Sequence, residues 1–285
     1  MTAFEITGSR QTLFKIAFMN SGLMFYREAA PAASDVSHLV LSFWEFAVAG
    51  GEIGAPIQHE VFPDGCVSVF YHRNENFNIR RIFLSGLQPE SIKVPVFASD
   101  IYWGMRISPA AGTRVLRSNP SKFQRINRCE AEEFPHLTEN LLEKLDACRD
   151  FAEAVNVYEK RLRELNFNAE DFDEKIAQAI AIIEENNGEI KIAELAGAVN
   201  LGVRQLERRF KNSSGLTPKQ YARTRRLRAT AVSLVENENL NWANRAAAMG
   251  FTDQAHLNHE FVSVTGRSPN SFAEKVKQIE HGNLV

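Results

Sequence analysis

The residues able to do chemistry fall into two groups. One lies between positions 203 and 228, where nine basic side chains (Arg204, Arg208, Arg209, Lys211, Lys219, Arg223, Arg225, Arg226 and Arg228) accompany a single acid, Glu207. In a chain of formal net charge −2, so local a basic cluster suits a polyanion, although a solvated helix face would carry the same charges. The other group is scattered through the N-terminal half: His38, His59, Glu60 and His72, with the thiol of Cys66 following Pro63-Asp64-Gly65. No His-x-His pair occurs among them, so these histidines read as structural rather than as metal ligands. Cys66, Cys129 and Cys148 are far apart and lack a C-x-x-C spacing, which points to reduced thiols and against a disulfide framework or a zinc site. Cys66 itself reads as a buried residue rather than a reactive thiol. No Ser/His/Asp order, nucleophile elbow or phosphate-cradling glycine loop is present. The expectation is a protein that is not an enzyme and carries no cofactor.

The basic group sits inside an internal repeat. Residues 192–218 (IAELAGAVNLGVRQLERRFKNSSGLTP) and 242–269 (WANRAAAMGFTDQAHLNHEFVSVTGRSP) share a short alanine-rich helix, a turn and a second helix with Leu-x-x-x-Phe. Small residues in each first helix allow close helix approach. Asn200 and Gly250 stand where the chain must leave that helix, and both tolerate a left-handed backbone. Gly202 and Thr252 or Asp253 are acceptable N-caps. Leu206/Phe210 and Leu257/Phe261, four apart, share one face and pack inward, leaving the opposite face free. Gly215 and Gly266 end the second helices, and Pro218 and Pro269 open the next ones.

The elements around the repeat follow from periodicity. Residues 39–46, 57–62, 66–72, 79–84, 92–98 and 101–107 are short and rich in β-branched and aromatic residues, with turn residues between them, and suggest a barrel or sandwich. Residues 110–116 suggest a helix. Leu137, Leu141, Leu142 and Leu145 predict a second one, and Phe151, Val155, Tyr158, Leu162 and Leu165 a third. The fold class is therefore α+β in two domains. Residues 1–108 form a β-rich domain, 109–171 a helical segment and linker with a stripe that could serve dimerisation, and 172–285 an all-α domain. Residues 1–20 read as an extension without the features of a signal peptide, and no apolar run is long enough for a membrane span.

From about residue 172 to 273 the chain resembles the DNA-binding domain of the AraC/XylS family of bacterial regulators. The resemblance rests on Ala-Glu-Leu-Ala at 193–196, Leu206-x-x-x-Phe210-Lys211, Gly215-Leu-Thr-Pro218, Tyr221, Arg226-Leu227, Ala246-x-x-x-Gly250-Phe251, Leu257-x-x-x-Phe261 and Gly266-x-x-Pro269. It implies two helix-turn-helix units, about 192–213 and 242–264, joined by a helix from 218 to 236. Helices 203–213 and 253–264 would read two successive major grooves. By family position, the first presents Arg204, Gln205, Glu207 and Arg208 to bases, with Val203 near its start. The second presents Gln254, Ala255, Asn258 and His259. Arginine pairs with guanine, glutamate accepts from cytosine, Gln and Asn suit adenine, and alanine meets a thymine methyl. Glu207 could equally brace Arg204 or Arg208. Lys211, Arg223, Arg225 and Arg228 are expected on phosphates, whereas Arg226 is expected to support the interior.

The N-terminal half is similar to the corresponding module of one AraC-family subgroup through Tyr26-x-x-x-x-Pro31, Leu39, Trp44, Pro63-Asp64-Gly65-Cys66 and Gly104-x-x-x-x-Pro109. That likeness implies a sensor or dimerisation domain. The expectation is a cytoplasmic transcription regulator whose partner is double-stranded DNA. RNA polymerase, a small-molecule or protein effector and a second copy of the chain are further partners it allows. Two alternatives stay open: a cupin-like metal-dependent barrel enzyme with a DNA-binding tail, and a helical module that binds an acidic protein.

Overall fold

The structure, a computed structural model, describes residues 24–32, 35–51, 55–126, 129–167, 172–236 and 241–280. The expected extension at 1–20 lies outside them, as does most of the expected linker. Among the described residues eight strands form: β1 (Met24–Ala29), β2 (Val40–Val48), β3 (Ile57–Val61), β4 (Ser68–Asn74), β5 (Ile79–Ser85), β6 (Ile92–Val96), β7 (Ile101–Ile107) and β8 (Cys129–Glu130). Six make one antiparallel sheet in the order β1-β2-β7-β4-β5-β8, and β3 pairs with β6 in a second sheet. Strand β1, with the charged pair Arg27 and Glu28, carries too weak an apolar alternation to be read beforehand. It is held by its backbone ladder to β2.

Period two sorts the large sheet into two faces. Phe43, Val69, Tyr71, Trp103 and Met105 enter a core with the helices that follow. Phe46, Phe70, Phe83 and Tyr102 point the other way, toward Val96 of β6. At Gly104 the rings of Trp44 and Phe70, on the strands to either side, come within 5.8 Å of each other. A Cβ there would lie 2.3 Å from the Trp44 indole, so only glycine lets the ring settle on the sheet.

Helices α1 (Gly112–Leu116), α2 (Pro135–Thr138), α3 (Leu141–Asp146) and α4 (Phe151–Glu164) cover the first face. The single helix expected through Leu137 and Leu145 is instead two. Asn140 turns left-handed at φ 57° and breaks it, which the leucine spacing could not reveal. Residues 109–165 are also no separate layer: Val115, Leu137, Leu145, Tyr158 and Leu162 share one core with Phe43 and Trp103. Tyr158 fastens α4 to the sheet by donating its hydroxyl to the Trp103 carbonyl at 2.7 Å. The stripe considered for dimerisation is thus used inside the chain.

Asp100 ties the strand ends together. Its carboxylate accepts from Asn74 Nδ2 at 2.7 Å, the Phe97 backbone N–H at 2.8 Å and the Tyr102 hydroxyl at 3.0 Å, and faces His72 Nε2 at 2.8 Å. Burial opposes its charge, but the hydrogen bonds from His72, Asn74 and Phe97 outweigh burial and hold its pKa below the ordinary value. A depressed carboxylate stabilises the fold above its unfolded pKa, and that contribution disappears as pH falls through the folded value. Asp100→Asn is therefore expected to lower the urea midpoint at neutral pH and to flatten its decline below about pH 4. An acid limb as steep as wild type's would count against this assignment.

The remaining helices are α5 (Glu174–Glu185), α6 (Ile192–Ala198), α7 (Val203–Ser214), α8 (Pro218–Glu236), α9 (Trp242–Ala248), α10 (Gln254–Thr265) and α11 (Pro269–Glu280). Two cores hold them: Ile176, Ile183, Leu195, Leu206, Phe210 and Tyr221 in the first, and Leu227, Ala246, Leu257, Phe261 and Phe272 in the second.

Candidate nucleic-acid interface and the joint behind it

The two repeats are built alike. Leu206, Phe210, Leu257 and Phe261 are all fully buried, which fixes the inward face of α7 and of α10. Asn200 and Gly250 adopt φ 52° and 67° as the chain leaves α6 and α9. Asp253 caps α10, accepting from the His256 N–H at 2.7 Å. Gly215 and Gly266 close α7 and α10 in the left-handed region, at φ 81° and 67°.

With the inward face anchored, Arg204, Gln205, Glu207 and Arg208 on α7 and Gln254, Ala255, Asn258 and His259 on α10 are exposed. Among the described residues neither Arg204 nor Arg208 pairs with Glu207, so the brace considered for that acid is not formed. Val203, at the start of α7, is 41% exposed. Lys211 is exposed, and Arg223 is half-buried against Glu260 and Ser263 of α10.

Arg225 and Arg228 depart from the expectation. Only 1% and 3% exposed, they point away from solvent, and neither guanidinium reaches a phosphate in this arrangement. Arg225 pairs with Glu184 of α5, whose other oxygen accepts from the Tyr221 hydroxyl at 2.5 Å. Burial works against the charge of Arg225, but Glu184 overrides it and raises the pKa. Arg228 has its pKa lowered by burial first and by Arg106 second, with Asp64 opposing. Charge and spacing along α8 look alike for exposed and buried arginines, so the sequence could not separate them. Arg226 donates to the Gly250 carbonyl at 3.2 Å and lies 4.9 Å from the centre of the Phe251 ring, joining α8 to the second unit.

The turn at 62–66, between β3 and β4, packs against this part of the chain. The Asp64 carbonyl accepts from Arg225 at 3.4 Å. Gly65, at φ 75°, lies so close to Tyr221 that a Cβ would stand 2.9 Å from the ring. Phe62 joins the second core, 6.1 Å from Phe261 and 6.0 Å from Phe272 between ring centres. The β-rich body also grips the ends of both second helices. Ser213 donates to the Ala110 carbonyl at 2.6 Å, Gln124 to the Gly215 carbonyl at 3.0 Å, and the Ser91 N–H to the Val264 carbonyl at 2.8 Å.

Beside this turn the two sheets line a half-open cavity of about 180 Å³, walled by Trp44, Phe46, Phe70, Tyr102, Val94 and others. Arg106 closes one end. Its Nε donates to Asp64 at 2.7 Å, Nη1 to Glu28 at 2.8 Å and to Ser42 at 3.2 Å, and Nη2 to the Tyr26 hydroxyl at 2.9 Å. Burial opposes the charge of Arg106, and Tyr26, Glu28 and Asp64 more than compensate. Sequence reasoning missed this cluster. Its one visible sign was the Pro63-Asp64-Gly65 turn. Cys66, buried beside it, has its thiol pKa pushed up by burial and by Asp64, which suits an inert side chain. The histidines are apart: His72 is held by Asp100, His59 stacks on Phe46, and His38 meets Phe172 edge-on. Among the described residues no group of three or more His, Cys, Asp or Glu is placed to hold a metal ion, and no helix is long and apolar enough to cross a membrane.

Two family descriptions match separate parts of the chain. Residues 195–275 match the family described as Helix-turn-helix domain (HTH_18), and residues 27–127 match the Domain of unknown function DUF6597. No curated protein matches the sequence. An AraC-type transcriptional regulator from Chromobacterium violaceum is similar at 24% identity over 37% of this chain and 94% of its own, with TM-score 0.34. The DNA-binding domain of AdpA, solved with a target DNA, is similar at 24% over 36% of this chain and 93% of its own, with TM-score 0.33. ToxT from Vibrio cholerae O395 is similar at 14% over 78% of this chain and 95% of its own, with TM-score 0.40. The chain thus carries a region matching the DUF6597 domain of unknown function, followed by a helix-turn-helix domain.

Proposed function

We propose that the protein is a sequence-specific DNA-binding transcription regulator of the AraC/XylS type. Helices α7 and α10 enter two successive major grooves on one face of the duplex, about 34 Å apart. The carrying observation is the pair of exposed reading faces, each anchored from behind by a buried Leu and Phe and linked by α8. Arg204, Gln205, Glu207 and Arg208 read the first groove, with Val203 placed for a thymine methyl. Gln254, Ala255, Asn258 and His259 read the second. Lys211 and Arg223 take phosphates. Regulation acts through the N-terminal domain, where the cavity beside Arg106 receives a small-molecule effector. The regulator works in the cytoplasm.

The test is an electrophoretic mobility shift of the full chain with DNA from upstream of its own coding region, in excess scrambled competitor at moderate salt. A competitor-resistant complex is expected. Sequence-independent or absent binding would favour the helical module that binds an acidic protein.

A further inference from the structure

The effector cavity carries information about its ligand in its charges and walls. All three guanidinium nitrogens of Arg106 are engaged, two of them with the carboxylates of Glu28 and Asp64. Arg228 lies within electrostatic reach of Asp64 and Arg106. Two arginines thus face two carboxylates, and the cluster is internally balanced. An anion would add a third negative charge beside Glu28 and Asp64, and a cation would face both arginines; either would be desolvated without compensation. The walls are rings: Trp44 lies 5.8 Å from Phe70, and Tyr102 lies 5.6 Å from Phe46 and 6.1 Å from Phe70 between centres. A buried apolar space of about 150 Å³ accepts a benzene ring. The present cavity, about 180 Å³, suits one ring with a short substituent. Ser68 and Gln88 in its wall supply neutral hydrogen-bonding groups.

The turn at 62–66 is wall and wedge together. Phe62, Asp64 and Cys66 line the cavity, while Phe62 packs on Phe261 and Phe272 and Gly65 sits against Tyr221. It touches both helix-turn-helix units, so a displacement of the wall changes what holds each of them.

We propose that the cavity takes an uncharged, ring-bearing small molecule, and that the turn at 62–66 relays its presence to both DNA-reading units. This rests on the effector reading above. The probes are cinnamamide and cinnamate, equal in size and shape but neutral and anionic respectively, titrated by calorimetry into the full-length protein. Cinnamamide is expected to bind about tenfold tighter or more, the scale set by burying an uncompensated charge. Saturating cinnamamide is expected to change the affinity for the upstream DNA about fivefold or more. Val94→Trp, which fills the cavity, should abolish binding. Phe272→Leu, which thins the contact with Phe62 without touching the cavity wall, should still bind cinnamamide with wild-type affinity but lose most of the DNA response.

Equal or tighter binding of cinnamate, or binding of neither compound, overturns the ligand class, and the wild-type protein suffices for that measurement. If cinnamate binds and Val94→Trp removes it, the effector site stands with a different ligand. If cinnamamide binds Val94→Trp unchanged and leaves DNA affinity unmoved, the effector reading itself fails. A Phe272→Leu protein that binds cinnamamide and still responds fully on DNA overturns the relay.

Discussion

Arg225→Ala is expected to destabilise the protein by about 3–5 kcal/mol, the cost of leaving one partner of a buried ion pair alone. The stranded group is Glu184, whose carboxylate is otherwise held by Arg225 and the Tyr221 hydroxyl. The loss would appear as a lower urea midpoint. The slope of DNA affinity against salt should stay at the wild-type value, because Arg225 neutralises no phosphate. Glu184→Leu combined with Arg225→Met should recover much of the stability, since apolar residues of similar volume replace the whole pair. Lys211→Ala should behave in the opposite way. It is expected to leave the midpoint nearly unchanged and reduce the salt slope by about one. An Arg225→Ala protein of full stability and shallower salt dependence would return this residue to the phosphate contacts.

Arg208→Ala is expected to weaken binding to the specific site by about 10- to 100-fold, the range of a lost bidentate arginine–guanine contact. Asn258→Ala should cost less. The asymmetry comes from where the arginines go. The first unit keeps Arg204 and Arg208 exposed on α7. The second unit uses its own structurally: Arg245, 2% exposed, bonds to Ser233, and Arg267 lies 3.6 Å from Glu60. The second reader is left with Gln254, Ala255, Asn258 and His259, and it should tolerate more base changes than the first. Quantitative binding of both variants to one operator decides the matter; an equal or greater loss from Asn258→Ala would remove the asymmetry.

Much of the exposed face of α7 and α10 was legible beforehand because its determinants are local. The Leu-x-x-x-Phe spacing sets which face of α7 and α10 is buried. Asn200, Gly215, Gly250 and Gly266 mark the points where the backbone turns left-handed. Asp253 supplies its own cap. Strand β7 was expected over the residues where it lies, Ile101–Ile107, since its apolar run is bounded by clear turn residues. The helix expected through Leu137 and Leu145 failed because one left-handed residue, Asn140, leaves no mark in apolar periodicity.

The amino-acid sequence by itself determined helices α7 and α10, their turns and the unequal charge of their outer faces, since each depends on residues a few positions apart. Only the tertiary structure decided which arginines of α8 remain available. That outcome turns on the Asp64 carbonyl meeting Arg225 across 161 residues of chain and on Glu184 arriving from α5. The cavity and its balanced cluster are of the same kind. Tyr26 and Glu28 come from β1, Arg106 from β7 and Asp64 from a turn, and no sequence spacing relates these three segments. Burial is a property of what packs on a side chain, and these partners arrive from segments distant in sequence, for Arg225 from both domains.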